Sequence, residues 1–70
     1  MSYGEGTTVK WSWGNGTGKG TIEKVYTRKT TRTIKGEKIT RNGSKDCPAY
    51  YIEQKDGDAV LKLHSEVEKA

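Results

Sequence analysis

Between Arg28 and Arg41 the chain gathers Arg28, Lys29, Arg32, Lys35, Lys38 and Arg41, with Glu37 the single acid among them. Cations at this density can neutralise phosphates. Trp11, Trp13, Tyr26, Tyr50 and Tyr51 add flat rings able to stack on a base or receive a cation. Bland roles compete with both. Exposed lysines on an edge hairpin discourage strand-to-strand aggregation, and a chain without phenylalanine must fill its core with Trp and Tyr. Trp11 is expected in the core, with Trp13 and Tyr51 nearer the surface. The residues expected to meet a ligand are Trp13, Arg28, Arg32, Arg41, Tyr50 and Tyr51.

Covalent and metal chemistry find less to work with. Cys47 and His64 each occur once, and nothing in their spacing orients them as a nucleophile and its base. One His and one Cys do not make the three or four ligands of a metal centre. Gly18-Lys19-Gly20 lacks the Ser or Thr that follows the lysine of a phosphate loop, and position 13, where that pattern needs its first glycine, is Trp. No glycine spacing matches a dinucleotide fingerprint. The sequence therefore predicts no catalytic residue, no metal and no cofactor.

Seventy residues, of which 30% are hydrophobic, make one small domain with little room for an enclosed cleft. The net charge of +4 and isoelectric point near 9.3 favour anionic partners at long range. A single cysteine excludes an internal disulfide, and no apolar run suggests a leader or a membrane span. A cytoplasmic protein, monomeric or weakly dimeric and without a membrane partner, is the expectation.

The elements that must position these side chains read as strands. Met1 to Gly6 is expected to be a flexible tail, although Tyr3 has the chemistry to pack on the domain's end, and residues 7–70 form the single domain. Thr7 to Trp13 alternates, with Val9, Trp11 and Trp13 on one face. Gly14 to Gly20 is too glycine-rich for regular structure, and Asn15-Gly16 is a favoured turn pair. Thr21 to Thr27 is β-forming but breaks alternation, which predicts a bulge or a strong bend. A turn at Gly36-Glu37 would pair Ile34 with Ile39 and set Arg32 opposite Arg41, a like-charge conflict that an anion between them would relieve. Ala49 to Gln54 and Ala59 to His64 complete the strands across a Lys55–Asp58 turn, with Lys62 and His64 facing solvent. Ser65 and Glu68 have capping-box spacing for a short helical turn.

With these motifs in hand, the chain resembles the hypervirulence-associated protein TUDOR-like domain family from about Gly6 to Glu68. The likeness rests on V-K-W-S-W-G-N-G at Val9 to Gly16, T-R-T-I-K-G-E-K-I-T-R at Thr31 to Arg41, P-A-Y at Pro48 to Tyr50 and V-L-K-L-H-S-E at Val60 to Glu66. The resemblance implies an all-β, five-stranded, strongly bent Tudor-like barrel. Tudor-like barrels elsewhere bind methylated side chains through aromatic cages, or bind nucleic acid and peptides; the family itself brings no settled activity. The resulting expectation is a non-enzymatic module for an anionic ligand, nucleic acid or a phosphorylated nucleotide. The alternatives are a peptide- or protein-docking barrel with an aromatic cage, and a small stress-related protein with no dedicated ligand.

Overall fold

The computed structural model describes residues 2–70, and at position 13 the backbone alone. Seven strands and one short 3-10 turn follow in order: β1 (Thr8–Trp13), β2 (Gly16–Tyr26), β3 (Lys29–Ile34), β4 (Glu37–Asn42), β5 (Ala49–Gln54), β6 (Ala59–Leu63), the turn at His64–Glu66, and β7 (Glu68–Lys69). They form two antiparallel sheets. One has the order β6-β5-β2-β1-β7; the other is the β3-β4 hairpin alone. Among the described residues no ladder joins the two, so the five-stranded barrel that the resemblance implies is here an open sheet with a separate ribbon packed against β6.

The first hairpin corrects the glycine reading. Trp13 pairs with Gly16, so Gly14 and Asn15 form the turn, and β2 runs straight through the glycines. Gly14 sits at φ 48°, left-handed backbone that glycine enters without penalty. Gly16, Gly18 and Gly20 then recur at period two, the spacing of one strand face. Gly18 lies opposite Trp11, and a Cβ there would fall 2.5 Å from the indole, while one at Gly20 would fall 2.7 Å from Ile52 and from the Glu53 carbonyl. A row that looks like loop composition is strand, in which Gly18 leaves room for the indole and Gly20 lets the β5 backbone and Ile52 approach. Further along, the register with β5 shifts between Ile22 and Lys24. This is the predicted bulge, and it explains why Ile22 and Val25 both reach the same cluster.

Val9, Trp11, Ile22, Tyr50 and Ile52 form the main core, with Tyr3, Val25, Val60 and Val67 around its margin. Trp11 is 5% exposed and Tyr50 is fully buried. Tyr3 closes one end. Its backbone N donates to Tyr50 Oη at 2.9 Å, and its ring lies 5.0 Å from that of His64. His64, expected in solvent, is half-buried between Tyr3 and Tyr50. The amide of Gly6 also donates to the Ile22 carbonyl at 2.8 Å, while Met1 lies outside the described residues.

A second cluster, Ile34, Ala49 and Leu61, occupies the opposite face of β5 and β6, with Tyr26, Ile39, Tyr51 and Leu63 packed on it. This is where the ribbon meets the main sheet. The helical turn after β6 is present, but its cap differs from the expected one: the amide of Leu63 donates to Glu66 Oε1 at 2.8 Å. Glu68 and Lys69 instead extend along β1 as β7, opposite Lys10 and Val9.

Candidate functional site

The β3-β4 ribbon turns through Lys35 and Gly36, both at positive φ (53° and 79°), with Ile34 opposite Glu37. Two left-handed central residues give a two-residue turn whose twist matches that of its strands. The expected turn at Gly36-Glu37 is thus displaced. Arg32 faces Ile39, and Arg41 faces Thr30. Because the slip is by two residues rather than one, every side chain keeps its expected face. The like-charge opposition of Arg32 and Arg41 nevertheless disappears, and with it the need for an anion to relieve it.

The inner face carries Thr30, Arg32, Ile34, Ile39 and Arg41, all buried or half-buried. The Arg32 guanidinium lies 4.0 Å from the centre of the Tyr51 ring, and its Nη1 donates to Tyr26 Oη at 2.6 Å. A cation over a partly desolvated ring gains about 0.5–2 kcal/mol, so Arg32 ties β3 to both β2 and β5. Arg41 Nε donates to the Leu61 carbonyl at 3.2 Å, and its Nη1 stands 3.7 Å from Glu66. Arg32 and Arg41, both expected to meet the ligand, are therefore engaged as fasteners between ribbon and sheet.

Other expected site residues also move. Tyr50 belongs to the core and presents no surface; its phenol accepts from the Tyr3 amide and shares a 2.8 Å hydrogen bond with His64 Nδ1. Burial raises the Tyr50 pKa above its ordinary value of 10.0. Tyr51 is half-buried, with one ring face covered by Arg32. Arg28 is exposed at the corner between β2 and β3, where Thr30 Oγ1 donates to its carbonyl. Trp13, expected at the rim, lies outside the described side chains.

Cys47 and His64 come closer than their spacing suggests, because the amide of His64 donates to the carbonyl of Pro48 at 2.8 Å. The Cys47 backbone is bound up with Ser44, whose Oγ accepts its amide and whose own amide donates to its carbonyl. The imidazole's Nδ1 is committed to Tyr50. Among the described residues, no cluster of three His, Cys, Asp or Glu side chains is placed to hold a metal.

The outer face of the ribbon is the surface left over. Lys29, Thr31, Thr33, Lys38, Thr40 and Asn42 alternate with the inner set, and all six are exposed. Lys29 pairs with Asn42, Thr31 with Thr40, and Thr33 with Lys38. The two hydroxyls of the central pair are 2.8 Å apart. This face has two cations, three hydroxyls and an amide, and no carboxylate. Glu37, across from Ile34, belongs to the inner set. At the turn Lys35 bonds Asp58 at 2.9 Å, a contact that raises the lysine pKa. The threonines carry no charge and so do not stand out in the sequence; their period-two spacing with Lys29 is the signal that places them on one face.

A family model described as hypervirulence associated proteins TUDOR domain matches residues 6–67. Searches of curated proteins and of solved structures each return no match.

Proposed function

The chain belongs to the hypervirulence associated proteins TUDOR domain family, and from that premise we propose that it is a non-enzymatic module binding an anionic ligand, nucleic acid in first place. The binding surface in this reading is the outer face of the β3-β4 ribbon. The observation that carries it is the division of labour on the ribbon. Arg32, Ile34, Ile39 and Arg41 anchor it, and this frees a carboxylate-free face with Lys29 and Lys38 in solvent. Arg28 extends that charge at the β2-β3 corner. The reading also takes the ribbon as the remaining wall of a Tudor-type barrel that acts in the cytoplasm as a monomer or weak dimer.

The peptide-docking alternative has less to support it. Of the rings that a cage would use, Tyr51 already has the protein's own Arg32 over its face, and the Tyr26 hydroxyl accepts a hydrogen bond from the same side chain. A bound cation would have to displace it.

The test is fluorescence anisotropy of labelled oligonucleotides at two salt concentrations. Lys29→Ala with Lys38→Ala is expected to weaken binding and flatten its salt dependence by about 2 in log-log slope, about one unit for each phosphate contact removed. Binding that is unchanged in the double variant, or unchanged by salt, sinks this reading.

A further inference from the structure

The outer face of the ribbon has a geometry narrower than general attraction for polyanions. We propose, resting on the function above, that the β3-β4 ribbon is a reader of double-stranded DNA that enters the major groove of a B-form duplex. Lys29 and Lys38 meet the phosphate walls, and the threonines and Asn42 meet the base edges.

Four observations converge. First, the ribbon has the right cross-section. A sheet of its own, it has two strands and, among the described residues, no further strand paired to either side, and strands lie about 4.8 Å apart. The major groove, about 12 Å wide, admits such a ribbon. Second, the charges sit at diagonal corners. Lys29 lies on β3 beside Asn42, and Lys38 on β4 beside Thr33. Four residue steps and one strand spacing separate them by roughly 14 Å at Cα. One lysine lies along each edge of the ribbon, so each faces a different wall of the groove.

Third, the floor between them suits base edges. Thr31 and Thr40 share one hydrogen bond, which leaves the second hydroxyl proton free to donate outward. Threonine also offers a methyl for the thymine methyl, and Asn42 the amide that pairs with adenine. Fourth, the face has no ring. Non-specific single-strand binding uses aromatic platforms for unpaired bases, yet Tyr26 and Tyr51 both pack on the inner side of the ribbon. Duplex RNA fits poorly for another reason: its major groove is deep and too narrow for side chains to read.

The experiment measures affinity of the intact protein for a short mixed-sequence DNA duplex, for either of its single strands, and for the RNA duplex of the same sequence. The expected result is binding to the DNA duplex at least about 10-fold tighter than to the others, given how differently these grooves present their bases. Thr31→Val with Thr40→Val removes the hydroxyls at nearly constant volume on a solvent-facing pair. It is expected to leave the salt slope unchanged and to reduce the preference for duplex DNA over duplex RNA to about 3-fold or less, since the groove contacts and not the phosphate contacts are lost. Circular dichroism checks that the variant is folded.

If all three nucleic acids bind alike and Lys29→Ala with Lys38→Ala weakens them alike, the groove inference falls while the anion-binding reading stands. If none binds, both fall. A duplex-DNA preference that survives the threonine substitutions in full also overturns the assignment of the base-reading floor.

Discussion

The two hydrophobic clusters of this small domain are built on different principles. The main core is held by shape: the Trp11 indole lies on backbone cleared by Gly18, and Tyr50 fills the centre with its hydroxyl hydrogen-bonded to both the Tyr3 amide and His64 Nδ1. The junction between ribbon and sheet is held by a thin apolar contact reinforced by two arginines, one over a tyrosine ring and one on a backbone carbonyl. Close packing tolerates little change at any contributing position, whereas a fastened seam can lose one fastener and remain closed. The contrast explains how a chain of this length presents a charged face. Cationic side chains that anchor the ribbon from within let its other face remain polar without loss of attachment.

The sharpest way to break the contrast is at the indole. Trp11→Ala removes the largest side chain of the core and leaves a void that Gly18 cannot fill, so a loss of about 3–5 kcal/mol is expected. In a domain this small that is comparable with the whole stability, and urea denaturation should find the variant largely unfolded at low denaturant. A loss below about 1 kcal/mol, the cost of a surface change rather than a core deletion, would mean that the backbone at Gly18 is not the indole's seat.

Tyr50→Phe probes the polar part of the same core. It keeps the ring but leaves the Tyr3 amide and His64 Nδ1 without their partner, for an expected loss of about 1–3 kcal/mol at neutral pH. The pH dependence has a definite sign. Because burial raises the Tyr50 pKa in the folded state above 10.0, the native protein holds this proton more tightly than the unfolded chain. The stability it contributes is complete below pH 10.0 and is lost as pH rises through the folded value. Thermal melts of wild type and Tyr50→Phe should therefore converge above pH 10.0. Parallel curves would show that the phenol does not titrate with folding.

The smallest expected effect is at the seam. Arg32→Ala removes the cation from Tyr51 and the donor from Tyr26, for a loss of about 1–2 kcal/mol. Amide hydrogen exchange should quicken in β3 and β4 before it changes in β1 or β2, because the ribbon has the thinner attachment. Uniform quickening across both sheets would erase the distinction between the two clusters.

Much of this architecture was legible in the chain. Alternation located β1 and β5, and Tyr50 and Ile52 share a buried face as their spacing requires. Broken alternation after Thr21 announced the bulge, and the burial of Trp11 followed from a composition without phenylalanine. The glycine row misled because its meaning depends on what lies opposite; read alone, glycine at period two and a flexible loop have the same composition. The ribbon's turn misled for a related reason. Gly36 allows a turn at either of two registers, and the choice placed Lys35 in left-handed backbone with its ammonium on Asp58, a residue far away in sequence.

The candidate site divides along the same line. From the residues alone came the local facts: an all-β domain, a basic hairpin, and which of its side chains share a face, because strand periodicity is a property of neighbours. Only the fold decided which of those two faces turns inward, since that depends on Tyr26, Tyr51 and Leu61 arriving from β2, β5 and β6 to receive the arginines. Charge could be counted along the chain. Whether a given cation meets solvent or a tyrosine ring was settled by contacts between strands distant in sequence.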